Sequence, residues 1–116
     1  MYKISKKFSF SASHVLDQLG KDHPCARMHG HNYVVGLYLK SETLNACGFV
    51  KDYKSLEFVK QYIESTLDHR HLNDVIDCPT SENIACFLYN QFKPEIPELY
   101  AVEVRETPQT SCIYEP

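Results

Sequence analysis

A chain of 116 residues, 43% of them hydrophobic, is sized for one folded domain, residues 1–116, with a real core but no room for a second. Its 12 basic and 15 acidic residues leave a formal charge of −3 with no basic block or stripe, which argues against a nucleic-acid partner. No apolar run reaches membrane-spanning length, the N-terminal residues lack a signal-peptide core, and the five cysteines form no C-x-x-C pair; free thiols in the cytoplasm and no membrane partner are expected.

From Tyr2 to His14 the even positions carry Ile4, Phe8, Phe10, Ala12 and His14 while the odd ones are mostly Lys and Ser, the period of a half-buried strand. Residues 17 to 28 hold Gly20 and Pro24 without periodicity and read as a loop, which contains Cys25. From His29 to Lys40 the alternation resumes, with Tyr33, Val35, Leu37 and Leu39 on the face that also carries His29 and His31. The two strands are expected to pair as a long hairpin. A short strand is expected near Phe49, and Asp52 can cap a helix whose buried side is Leu56, Val59, Ile63 and Leu67. The segment DHRHLND then forms a polar connection. Thr80 is a plausible N-cap for a second helix, with Glu82 near its positive end, Ile84, Phe87, Leu88 and Phe92 facing the core, and Pro94 stopping it. Leu99 to Glu106 alternates again, and Ser111 to Tyr114 is a last strand. The order ββααββ describes an α+β domain on an antiparallel sheet.

The spacing of His29 and His31 acquires meaning on a strand, where residues two apart point to one face; on a helix they would diverge by about 200°. Gly30 leaves room on the opposite face for a close neighbour. A hairpin brings His14 beside them, and three imidazoles converge. Neutral imidazole suits Zn²⁺, and three protein ligands leave a fourth position open, the mark of a catalytic rather than a structural site. Two alternatives stay open: histidines merely hydrogen-bonded at a sheet end, and a closed structural site with Cys25 as fourth ligand. In YAVEVRE, Glu106 shares parity with Tyr100, Val102 and Val104, whereas Glu103 and Arg105 take the other face. A carboxylate on an apolar face needs donors, which a ligand or solvent can supply.

The run C-A-R-M-H-G-H, preceded by F-S-A-S-H and followed by L-D-H, P-T-S-E and R-E-T, resembles the 6-pyruvoyl-tetrahydropterin synthase family over nearly the whole chain. The three residues between Cys25 and His29 are closest to its queuosine-pathway branch, the 6-carboxy-tetrahydropterin synthases. The resemblance implies the tunnelling fold (T-fold), an antiparallel sheet with two helices on one face that joins its neighbours' edges into a barrel, usually as a hexamer of two stacked trimers. It implies a zinc-dependent lyase that converts 7,8-dihydroneopterin triphosphate to 6-carboxy-5,6,7,8-tetrahydropterin with release of acetaldehyde and triphosphate. By the same resemblance the zinc ligands are His14, His29 and His31, the catalytic residues Cys25, Asp68 and His69, and the pterin anchor Glu106. Thr80, Ser81 and Glu82 help hold the ring, although capping explains them nearly as well. Arg27, Lys21 and Lys51 are candidates for the triphosphate only by their supposed nearness to the mouth. Where some relatives carry a second histidine after His69, this chain has Arg70. The rival readings are the biopterin-branch reaction, which gives 6-pyruvoyl-tetrahydropterin without carbon–carbon cleavage, a zinc-stabilised binding module without turnover, and a metal-free Cys-His hydrolase.

Overall fold

The computed structural model describes all of residues 1–116. Its frame is a four-stranded antiparallel sheet in the order β1 (Tyr2–His14), β2 (His29–Ser41), β3 (Leu99–Thr107), β4 (Thr110–Tyr114). β1 and β2 pair without a slip from Tyr2 opposite Ser41 to His14 opposite His29. The alternation of apolar residues enforces this register, because a shift of one residue would turn every apolar side chain of a strand to solvent. Phe8, Phe10 and Ala12 thus share one face with Tyr33, Val35, Leu37 and Leu39, the last four fully buried. At roughly 1.5–3 kcal/mol for each fully buried large apolar side chain, this stripe is a principal source of stability.

Two helices cover that face. Asp52 begins the first, its carboxylate accepting the Lys54 N–H at 3.0 Å ahead of a 3-10 turn, Tyr53–Leu56, and helix α1, Glu57–Thr66. Leu56, Val59, Ile63 and Leu67 are its buried side, as their 3.6-residue spacing requires. Helix α2, Ser81–Phe92, starts at Thr80, whose hydroxyl accepts the Asn83 N–H at 3.1 Å, and stops before Pro94. Ile84, Leu88 and Phe92 are buried together with Ala85 and Tyr89, while Phe87 is only half-buried at the core margin.

Four local expectations are corrected. No strand forms at Phe49; the Asn45 side chain accepts the N–H groups of Cys47 and Phe49 and closes a compact turn that leaves Phe49 exposed. A register shift between Tyr38 and Leu39 makes Leu99 the buried residue opposite Leu39 and frees Tyr100 to lie against Tyr38 and Lys40, so Tyr100 departs from the parity of Val102 and Val104. No close neighbour presses on Gly30: a Cβ there would come no nearer than 3.4 Å to the Ala12 carbonyl oxygen. The connection after α1 is also more than a polar linker. Ser13 and His71 form a parallel bridge, the Ser13 N–H donates to the Arg70 carbonyl at 3.1 Å, and the segment lies along the outer edge of β1.

Candidate metal centre and the groove behind it

The unbroken hairpin delivers His14 and His29 as the last facing pair, with His31 one pair further in on the same face. The three rings pack edge to face with centroids 4.4–5.0 Å apart, and one ligand atom from each lies within 4.8 Å of the other two. His14 is fully buried, whereas His29 and His31 are half-exposed, so the cluster opens on one side.

Hydrogen bonding fixes which nitrogens face inward. Nδ1 of His14 lies 2.9 Å from the Pro79 carbonyl oxygen and Nδ1 of His29 lies 2.7 Å from that of Arg27. A carbonyl only accepts, so both Nδ1 atoms carry protons, and Nε2 is the nitrogen each ring turns toward the cluster. Those two Nε2 atoms are 2.9 Å apart. Two lone pairs repel at that distance unless a cation or a shared proton lies between them, and carbonyl-oriented imidazoles are the arrangement a divalent metal needs. Burial lowers the pKa of His31, and the charges of His14 and His29 add to this against the opposing pull of Glu106. A neutral His31 completes the donor set. Cys25 is not part of this tight group, which leaves three ligands rather than a closed four-residue site.

Glu106 occupies the same face. Its charge acts on both His31 and Tyr33, and Tyr33, fully buried with its hydroxyl 3.3 Å from Nδ1 of His14, has its pKa raised strongly by burial and by Glu106. Glu103 takes the other face, as its parity requires. Burial alone would raise its pKa, but hydrogen bonds from Tyr38 (2.7 Å) and Ser111, with Arg105 at 3.1 Å and Lys7 nearby, hold it low. Thr80 is committed to capping α2, and the Ser81 hydroxyl donates to Glu82 at 3.0 Å. Pro79, next in the chain, touches His14 through its carbonyl, so the start of α2 adjoins the cluster. Cys25 sits in a 3-10 turn, Pro24–Ala26, tied down by the Leu16 N–H donating to its carbonyl at 3.0 Å.

Asp68 and His69 form the expected pair, Oδ2 to Nδ1 at 3.0 Å. The other carboxylate oxygen accepts the Ser11 N–H at 2.9 Å; that bond first, and His69 second, lower the Asp68 pKa against a desolvation effect that raises it. His69 adopts a left-handed φ of 58°, a conformation costing an L-residue about 1–2 kcal/mol, and its N–H donates to the Ser11 carbonyl at 2.6 Å. The pair does not join the histidine cluster. His69 lines a groove of about 490 Å³ with Ser11, Ala12, Ser13, Gly30, His31, Asn32, Arg70 and His71. Ser11, Ser13, Gly30 and Asn32 alternate with the ligand positions, but Ala12 and His31, on the ligand face, line the groove as well, so it reaches the cluster.

Lys51 is removed from the candidate mouth altogether. It pairs with Glu98 at 3.3 Å and lies with Tyr2 and Ile4 at the start of β1, roughly 30 Å of strand from His14. The functional contributors that sequence reading missed are the Pro79 and Arg27 carbonyls, the Tyr33 hydroxyl and the bridge at His71. Of these only Tyr33 carried a signal, its shared parity with His31.

Two helices on one face of a four-stranded antiparallel sheet define the class as the tunnelling fold, and the three histidines converging at one end form a cluster that could hold a metal ion. Residues 3–116 match the 6-pyruvoyl tetrahydropterin synthase family, and the chain belongs to it. It is 34% identical to a 6-carboxy-5,6,7,8-tetrahydropterin synthase of Synechocystis sp., over 98% of this chain and 93% of that protein. It is 30% identical to a 6-pyruvoyl tetrahydrobiopterin synthase of Dictyostelium discoideum, over 96% and 93%. The structure of Caenorhabditis elegans 6-pyruvoyl tetrahydropterin synthase superposes with a TM-score of 0.86 at 28% identity, covering 99% of this chain and 95% of that one.

Proposed function

We propose that the protein is a zinc-dependent 6-carboxy-5,6,7,8-tetrahydropterin synthase of the queuosine route. In this reading it converts 7,8-dihydroneopterin triphosphate and one water to the carboxy-pterin, acetaldehyde and triphosphate. The observation that carries the reading is the open cluster of His14, His29 and His31 with two rings oriented by carbonyls, on the face that also bears Glu106. The similarity to the Synechocystis protein and the Cys25–His29 spacing favour this product over 6-pyruvoyl-tetrahydropterin.

His14, His29 and His31 would hold the ion, which when bound acts as a Lewis acid that acidifies the substrate's side-chain hydroxyls and adjacent C–H groups. The Glu106 carboxylate accepts the 2-amino and ring N–H of the pterin as a two-pronged anchor. Thr80, Ser81 and Glu82 border that ring from the start of α2. Cys25, as a thiolate, removes a proton from the substrate side chain. Asp68 orients His69, whose outward Nε2 gives and takes protons. Because Asp68 and His69 stand outside the histidine cluster, the pair serves the site of a neighbouring copy in a homo-oligomer of hexameric size, which also covers the exposed edges of a four-stranded sheet.

Purified protein incubated with 7,8-dihydroneopterin triphosphate is expected to release acetaldehyde and triphosphate in equal amounts, with zinc measured on the same sample. Triphosphate without acetaldehyde would instead support the 6-pyruvoyl product. Cys25→Ala is expected to abolish turnover and keep the zinc; loss of the metal in that variant would favour a structural site.

A further inference from the structure

Strand β1 ends at His14, and the backbone just beyond it is held by a side chain from outside the sheet. The Val15 N–H donates to Oδ1 of Asn73 at 2.9 Å, and Nδ2 of Asn73 donates to the Val15 carbonyl at 2.9 Å. A backbone N–H only donates and a carbonyl only accepts, so the two partners together fix which way the amide faces. Asn73 takes the place of a neighbouring strand for one residue. It completes a ladder along the outer edge of β1, in which the His69 N–H donates to the Ser11 carbonyl at 2.6 Å and the Ser13 N–H to the Arg70 carbonyl at 3.1 Å. Ser11, Ser13 and Val15, alternate residues of that edge, are thus all tied to the segment that follows α1. One residue further on, the Leu16 N–H donates to the Cys25 carbonyl at 3.0 Å. The two bonds on Val15 therefore lie between His14 on one side and the anchor of the Cys25 turn on the other.

We infer that Asn73 is a positioning residue that fixes the exit of β1, and with it the place of His14 in the histidine cluster and of the turn that carries Cys25. The inference rests on the reading of His14 as a metal ligand and Cys25 as a catalytic base. β1 pairs with β2 only as far as His14 opposite His29, so past that pair the backbone needs a partner from elsewhere. The connection between α1 and α2 supplies it twice: Pro79 holds the His14 ring through its carbonyl at 2.9 Å, and Asn73 holds the backbone next to it. A planar amide suits the place, because an alanine would leave two part-buried backbone groups without a protein partner and an ionised aspartate would set a second acceptor against the Val15 carbonyl. Asn73 acts through the backbone of β1 and not by contact with a metal or a substrate.

The test is zinc affinity, measured by competition with a chromogenic chelator on the full chain, for the wild type, Asn73→Ala and Asn73→Asp, with thermal unfolding run alongside. Asp52→Ala controls for stability alone, since it removes the cap ahead of α1, next to Lys51 at the far end of β1. Asn73→Ala is expected to bind zinc about tenfold more weakly than the wild type, and Asn73→Asp more weakly still. Asp52→Ala should lower Tm yet keep the wild-type zinc affinity. Wild-type affinity in both Asn73 variants, or a loss no greater than that in Asp52→Ala, would overturn the inference while leaving the metal site standing. Should the Asn73 variants fail to fold, hydrogen exchange of the Val15 N–H in the wild type decides. Linkage requires zinc to slow that exchange by a like factor, and exchange indifferent to zinc overturns the inference equally. A wild type that binds no zinc removes the functional reading and this inference together.

Discussion

His14 and His29 meet because a thirteen-pair hairpin keeps its register to the last residue, and each ring is then set by a carbonyl from a loop. The two contributions differ in legibility. Strand parity is written in the sequence, since alternation alone places His14, His29 and His31 on one face. The carbonyls of Pro79 and Arg27 are not, because a backbone oxygen carries no residue identity and reaches its partner only after the chain has folded. Removing one ring should be decisive: His29→Ala is expected to lower zinc retention by 100-fold or more, on the order of 3 kcal/mol, with little loss of secondary structure, read by metal analysis and circular dichroism. A zinc content equal to wild type would show that these histidines are not the ligands.

The start of α2 serves two purposes at the level of the element, since Thr80 caps the helix while Pro79, one residue earlier, holds His14. Thr80→Ala should cost about 1 kcal/mol of stability through the lost cap, measured by urea denaturation, and should also weaken zinc binding because the cap anchors the Pro79 carbonyl. The segment after α1 is held against β1 by the Asp68 carboxylate on the Ser11 N–H. Its pKa is lower in the folded chain than in the unfolded one, so its contribution is fully present above the ordinary Asp range and disappears as pH falls through the folded value. Asp68→Asn is therefore expected to lower Tm at pH 7 and at pH 5 alike, with the gap closing below about pH 4. A gap that persists in acid would assign the effect to packing. The capping of both helices was legible from Asp52 and Thr80. The bridge at His71 was not, because three polar residues show no strand period and only their docking on β1 gives them extended structure.

In the proposed function the whole molecule separates what one chain can complete from what it presents to another. The histidine cluster and Glu106 share one face with the core, whereas Asp68 and His69 stand outside the cluster beside the exposed edge of β1, in or next to a groove that also takes in His31. Two inactive variants, Cys25→Ala and His69→Ala, are accordingly expected to recover part of the activity when co-expressed, through mixed sites in which each copy supplies what the other lacks. No recovery in assemblies shown to be mixed would place the complete site within one chain. The fold itself was largely legible, because each strand and helix announces its buried side by its own period, and six elements in this order admit few arrangements. The exceptions at Phe49 and Tyr100 arise from a side-chain-closed turn and a bulge, local departures that periodicity does not encode. By itself the sequence determined that three histidines point the same way from paired strands, since alternation is a property of the chain. Only the tertiary structure decided which carbonyls orient two of the rings, that the buried Tyr33 hydroxyl reaches His14, and that Asp68 and His69 stand outside the cluster. Those depend on contacts between residues distant in sequence, which form once packing has fixed the distances between elements.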